Sequence, residues 1–207
     1  MTYTDYIPDD IKDLYEVHDF KHAAAILSNE FPEEFNEICE ALRKFRFSVS
    51  DIIAAGGSES HIPKLFSEIL RPMGWFEKNL SAELKVYELK GKSRDLKSTI
   101  NHGSHKVDYL KGRVAFDLEW NSKDQTFDRD LYAFRAFFEY DAISVGVLVT
   151  RSNELDPHFR KLEIMPKYGA STTHMGKLLP RLEAGRNGGC PVLVFGITTK
   201  LLTDYEG

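Results

Sequence analysis

Cysteine is scarce in this chain of 207 residues: Cys39 and Cys190 are too few for a disulfide scaffold and too far apart for a metal-binding pair, so both read as free core thiols. Long apolar runs are missing as well. The longest, Ala142–Val149, is broken by Ser144 and Gly146 and falls far short of the ~20 residues that cross a bilayer. The first ten residues carry Asp5, Asp9 and Asp10 but no basic residue, which does not fit a secretory signal and makes the cytoplasm the expected compartment. There is no internal repeat, low-complexity tract or evident linker, and a single domain over residues 1–207 is expected. The seven histidines show no ligand spacing, so a zinc site is not expected.

Net positive charge is the last absence: 27 Lys and Arg against 32 Asp and Glu leave −5, which taken alone argues against a nucleic-acid partner. The distribution argues otherwise. Residues 1–40 hold eleven acids against Lys12 and Lys21, whereas residues 85–113 hold eight Lys and Arg against three acids. A second basic excess lies between Arg151 and Arg186. A polyanion can therefore be held locally by a protein that is acidic in total, although solvated lysines on polar faces give the same pattern.

The 42% hydrophobic content, typical of a globular protein, is arranged with clear periods. From Glu33 to Arg46, Phe35, Ile38, Cys39, Leu42 and Phe45 recur at helical spacing behind Pro32. After the Gly56-Gly57-Ser58 break, Ile62, Leu65, Phe66, Ile69 and Leu70 form a second helical stripe, closed by Pro72 and Gly74. Lys85–Leu89 reads as a short strand, and Gly91–Ser104, polar and rich in turn formers, as a loop. From Val114 to Trp120 the period falls to two, followed by a helix over Asp128–Tyr140 and a strand, apolar on both faces, over Ile143–Thr150. A helix over Met175–Glu183 and a strand over Pro191–Thr198 complete an α/β pattern with a central mixed β-sheet flanked by helices.

Asp117 and Glu119 share one face of the Val114–Trp120 strand, with Cα atoms roughly 6.5–7 Å apart, so a divalent cation fits between their carboxylates. Asp108 lies nine residues earlier, and the Lys111-Gly112 turn lets it approach the same face. Such carboxylates repel one another unless a cation compensates. The bland alternative is the solvent face of an edge strand, against which the apolar flanks speak.

The run from Asp108 through Asp117 and Glu119 to Lys123, followed by Phe127, Leu131 and the helix to Tyr140, resembles the catalytic segment of the BglII- and BstYI-like type II restriction endonucleases, relatives of BamHI in the PD-(D/E)XK nuclease superfamily. Weaker similarity extends from about Tyr15 to Thr199. The resemblance implies a restriction-endonuclease-like fold, Mg²⁺ as cofactor, double-stranded DNA as substrate and a homodimer. It also implies metal binding and catalysis by Asp108, Asp117 and Glu119, hydrolysis of both strands at a short palindrome, and a GATC-containing site. Three positions depart from the pattern: Val107 replaces the motif's proline, Asp117 replaces the usual glutamate of the nearest relatives, and Glu119 stands where lysine or glutamine is usual and where BamHI-like enzymes use glutamate. Without a lysine, the attacking water must be activated by Glu119 or by the metal.

Two polar segments are candidate DNA contacts. Asn121, Ser122 and Lys123 follow the acidic strand, and Ser171, Thr172 and Thr173 lie in the polar stretch before the last helix, where hydroxyls either read base edges or cap that helix. Aromatic side chains spread around the Asp128–Tyr140 helix mark it as a candidate dimer face. A DNA-binding protein that kept the fold without catalysis, and a repair nuclease without site specificity, are the competing readings.

Overall fold

The architecture follows from three strands that have no exposed face. In the computed structural model, which describes residues 2–54 and 61–204, β4 (Val114–Glu119), β5 (Val145–Arg151) and β6 (Val192–Ile197) are buried at every position. Strands of that kind need cover on both sides, and parallel pairing through helical crossovers supplies it. β4 pairs in parallel with β5, and β5 with β6. Antiparallel strands close both flanks: β1 (Tyr15–Phe20) beside β6, β3 (Ser93–Lys111) beside β4, and β2 (Phe76–Lys90) beside β3. The result is one six-stranded mixed sheet of order β1-β6-β5-β4-β3-β2.

One face is covered by the N-terminal helices α1 (Asp9–Leu14), α2 (Ala23–Glu30), α3 (Pro32–Lys44), α4 (Val49–Ile53) and α5 (His61–Leu70). α3 follows its sequence pattern: Pro32 opens it, Glu33 and Glu34 sit where the helix dipole favours acids, Arg43 and Lys44 where it favours bases, and Phe35, Ile38, Cys39 and Leu42 are buried. Phe45, Phe66, Trp75, Phe116 and Trp120 form the aromatic centre of this layer. α7 (Asp156–Lys161) adds Phe159 to it. Both cysteines are buried and free.

The opposite face carries α6 (Thr126–Glu139) and α8 (Met175–Glu183), whose Phe127, Leu131, Phe134 and Leu178 meet Ala115, Leu148 and Val192 of the sheet. Most aromatic residues of α6 thus serve this core: Phe134 and Phe137 are buried, and only Tyr132 and Tyr140 remain well exposed. Phe134 lies flat enough on β5 that a Cβ at Gly146 would stand 2.3 Å from its ring.

Two sequence expectations are corrected. Lys85–Leu89 is the distal part of a strand of 15 residues, and Gly91–Ser104 is not a loop but mostly β3, a strand of 19 residues. Gly91, at φ +63°, turns this β2–β3 ribbon. Every residue from Gly91 to Ile100 is exposed, so no face alternates between apolar and polar, and the backbone ladder alone defines the strand. β1, Tyr15–Phe20, falls in a stretch to which the sequence assigns no element. The Gly56-Gly57-Ser58 break lies outside the described residues.

Because the Phe134 ring is enclosed, Gly146→Ala should overpack this layer and lower unfolding free energy by about 1–3 kcal/mol in urea titrations. Adding Phe134→Leu should return part of that loss.

Candidate active site

Strands β3 and β4 stay in register from Lys111↔Val114 to Tyr109↔Phe116, and there the backbone ladder stops. The next two residues, Asp108 and Asp117, bridge the strands with their side chains instead. The Asp108 amide donates to Asp117 Oδ1 at 2.6 Å, and the Leu118 amide donates to Asp108 Oδ2 at 3.3 Å. The turn that brings the two strands together contains Gly112 at φ +53°, a left-handed conformation that favours glycine. Beyond Asp108, β3 continues into the ribbon with β2 while β4 continues beside β5.

Alternation directs Phe116, Leu118 and Trp120 into the layer of N-terminal helices, and Ala115, Asp117 and Glu119 towards α6. Asp117 and Glu119 are 3% and 6% exposed, so the solvent-facing alternative fails. The second turn of α6 adds a residue that the sequence reading missed. Asp130, 2% exposed, joins the electrostatic neighbourhood of Asp108, Asp117 and Glu119. Arg129 Nε donates to Asp130 Oδ1 at 2.9 Å, and its Nη2 lies 3.4 Å from Glu119 Oε1. The available signal was an acid set within the apolar stripe of Phe127, Leu131 and Phe134.

Asp108, Asp117 and Asp130 are held away from their ordinary ionisation. Burial pushes Asp108 up to about 6, opposed by the Leu118 amide and assisted by Glu119. Asp117 is raised well above the usual carboxylate range, first by burial, then by Asp130 and Asp108. Asp130 is pushed up to about 8 by burial and Glu119, against the pull of Arg129. Oδ2 of Asp117, Oε2 of Glu119 and Oδ2 of Asp130 are buried without a hydrogen-bond partner. Buried carboxylate oxygens that lack donors are costly, and a hard cation is the partner that suits them chemically. Among the described residues the oxygens are not gathered into a preformed set of three ligands, since Asp108 and Asp117 each spend an oxygen on the opposite strand.

The two candidate DNA segments meet beside this cluster. Lys123 and Thr172 form an antiparallel bridge, Thr173 N–H donates to the Ser122 carbonyl, and Asp124 N–H donates to the Ser171 carbonyl. Under them lies Arg151 at the end of β5, buried, ion-paired with Asp156 at 2.9 Å and donating to the Tyr168 carbonyl and Thr172 Oγ1. Lys123 and Ser171 are exposed, Asn121 and Ser122 are partly exposed, and Thr173 is fully buried. None of the three hydroxyl residues caps α8. Its Gly176 amide is instead received by Asn153 Oδ1 at 2.8 Å.

A mixed sheet whose central antiparallel pair opens around buried acids is the restriction-endonuclease-like fold. The family model described as Restriction endonuclease BglII/BglIII matches residues 15–197, and the chain belongs to that family. It is accordingly a nuclease of the restriction type, a hydrolase acting on DNA. No curated protein matches the chain.

The raised carboxylates set a pH dependence in metal-free buffer. Asp130 binds its proton more tightly folded than unfolded, so its contribution to stability is complete below about pH 4 and is lost as pH rises towards about 8. Asp130→Asn should therefore gain stability relative to the parent between pH 5 and 8, by up to about 1.4 kcal/mol per pH unit, in parallel denaturation curves without divalent ions. Equal slopes would show that Asp130 titrates normally.

Proposed function

We propose that the chain is a Mg²⁺-dependent type II restriction endonuclease, a single catalytic and DNA-binding domain that acts as a homodimer on a short palindromic site. The observation that carries this reading is the set of unpartnered, buried oxygens of Asp117, Glu119 and Asp130 where β3 parts from β4. Asp108, Asp117 and Glu119 are the residues that would hold the ion, with Asp130 adding negative charge behind them. A bound Mg²⁺ supplies positive charge against the phosphodiester and acidifies water.

The chain's own groups divide the remaining work. Arg129 engages Glu119 through Oε1, which leaves Oε2 to accept a proton from the attacking water. The amides of Asp108 and Leu118 hold one oxygen of each aspartate against the opposite strand, so the two carboxylates stay side by side while the full ligand set is still to be gathered around an ion. A palindrome offers each subunit of a two-fold dimer the same half-site, and one centre per subunit then cuts one strand. The GATC-containing site is carried by resemblance, and the cytoplasm is the compartment where such a nuclease meets incoming DNA.

Asn121, Ser122 and Lys123, with Ser171 and Thr172, are proposed to face DNA, and Thr173 to support them from beneath. Two experiments test these assignments. Plasmid digestion with Mg²⁺ should give discrete fragments, and Asp117→Asn should lower the rate by several orders of magnitude while site-specific binding in Ca²⁺ survives. A smear would indicate a nuclease without site preference, and intact plasmid a DNA-binding protein without catalysis. Ser171→Ala should cost roughly 1–3 kcal/mol of preference for the cognate site in competition binding. Thr172→Ala, which strips an acceptor from buried Arg151, should instead lower thermal stability.

A further inference from the structure

Arg129 meets the acid cluster with one edge of its guanidinium only. Nε donates to Asp130 Oδ1 at 2.9 Å, and Nη2, 2.8 Å from the same oxygen, also reaches Glu119 Oε1 at 3.4 Å. Nη1 has no hydrogen-bond partner among the described residues. A guanidinium carries five N–H donors in a fixed plane, so the end formed by Nη1 and the second N–H of Nη2 can bind an anion while the first edge stays engaged. The side chain is 59% exposed, whereas the carboxylates of Glu119 and Asp130 beneath it are buried.

Folding gains little from this arrangement. Arg129 is the fourth residue of α6, near the end where the helix dipole disfavours a cation. The carboxylate that receives Nε keeps its other oxygen buried and unpartnered, and an ion pair that leaves a buried charge half satisfied is a weak source of stability. What the pair does achieve is a fixed orientation. Charge then gives that orientation a use, because Asp108, Asp117, Glu119 and Asp130 together repel any phosphodiester that approaches. Arg129 is the only arginine or lysine ion-paired with any of the four among the described residues.

We propose that Arg129 is a catalytic residue that binds the scissile phosphate: the outer end of its guanidinium donates to the non-bridging oxygens while Asp130 and Glu119 hold the inner edge. This rests on the nuclease site proposed above and adds the group that receives substrate there. Two parallel N–H donors match two phosphate oxygens, a pairing in which arginine gives direction as well as charge. The contact offsets the repulsion between phosphate and acids, and it strengthens as negative charge builds on those oxygens during attack. An ammonium in the same place, a single point of charge, could not hold the acids on one side and grip a phosphate in two places on the other.

Binding to modified DNA tests the contact. The cut link is first mapped by sequencing the ends of plasmid digested by the parent chain in Mg²⁺. Duplexes then carry a methylphosphonate, neutral where the phosphate is anionic, either at that link or at one well away from it, and competition binding is measured in Ca²⁺. At the cut link the replacement should weaken binding by the parent about tenfold more than binding by Arg129→Gln. At the distant link the two proteins should respond alike. Arg129→Gln should also lower the salt slope of cognate binding by about one per subunit and slow single-turnover cleavage about a hundredfold. If loss of the cation unfolds the chain, Arg129→Gln combined with Asp130→Asn keeps the local charge and serves in its place. Equal responses at the cut link, or the same difference at both links, overturn the assignment. A parent chain that cuts at no defined link overturns the nuclease reading and this contact with it.

Discussion

Asp108 and Asp117 each satisfy an amide on the other's strand, and this exchange holds the site open. At that step the β3–β4 ladder would otherwise continue backbone to backbone and close the sheet over the acids. With the two carboxylates inserted, the strands part, β3 runs on paired with β2 alone, and the face of β4 that carries Asp117 and Glu119 opens beneath the start of α6. The hydrogen bonds keep the aspartates where they are although burial disfavours their charge. Stability of the chain alone and the proposed role in holding a cation therefore pull against each other, as is common where function is stored in strain or buried charge.

What the sequence made legible was whatever packs against a core. β4, β5, β6, α3, α5 and α8 all announce themselves by period, because each presents an apolar stripe or is apolar throughout, and their bounds follow within a few residues. The buried acid pair Asp117 and Glu119 was legible for a different reason: acids at a two-residue spacing inside an apolar strand contradict their setting. The ribbon was illegible because both its faces meet water, so hydrogen bonding shapes it and hydrophobicity leaves no trace. Asp130 belongs to the site through the packing of α6 on the sheet, and Arg151 supports the polar loops from the far end of β5, relations that linear spacing does not encode. The aromatic residues of α6 divide: Phe134 and Phe137 fill the second core, with glycine opposite Phe134, while Tyr132, and Tyr140 just beyond the helix end, stay exposed.

The acid excess of the whole chain also becomes intelligible once it is placed. Much of it lies in the N-terminal helices, where Glu37 receives Trp75 Nε1 and Lys111 Nζ, while the carboxylates of the opened strand pair are grouped on the far side of the sheet under Arg129. A sum over residues mixes two populations that the sheet separates. Local fields on that side of the sheet follow from the second population, and the total of −5 says little about them.

The stitching between residues 121–124 and 169–173 has a consequence for how such a protein diversifies. The bonds that join the two segments are made by main-chain atoms, Thr173 to Ser122 and Asp124 to Ser171, and Arg151 braces the second segment from below. Side chains at 123 and 171 are therefore nearly free of structural duty. They can be exchanged with little disturbance to the path of the backbone that presents them. On the proposed DNA-facing surface, new preferences can then arise by single substitutions without change of shape, with the cost to folding confined to Thr172 and Thr173, whose side chains are committed inward.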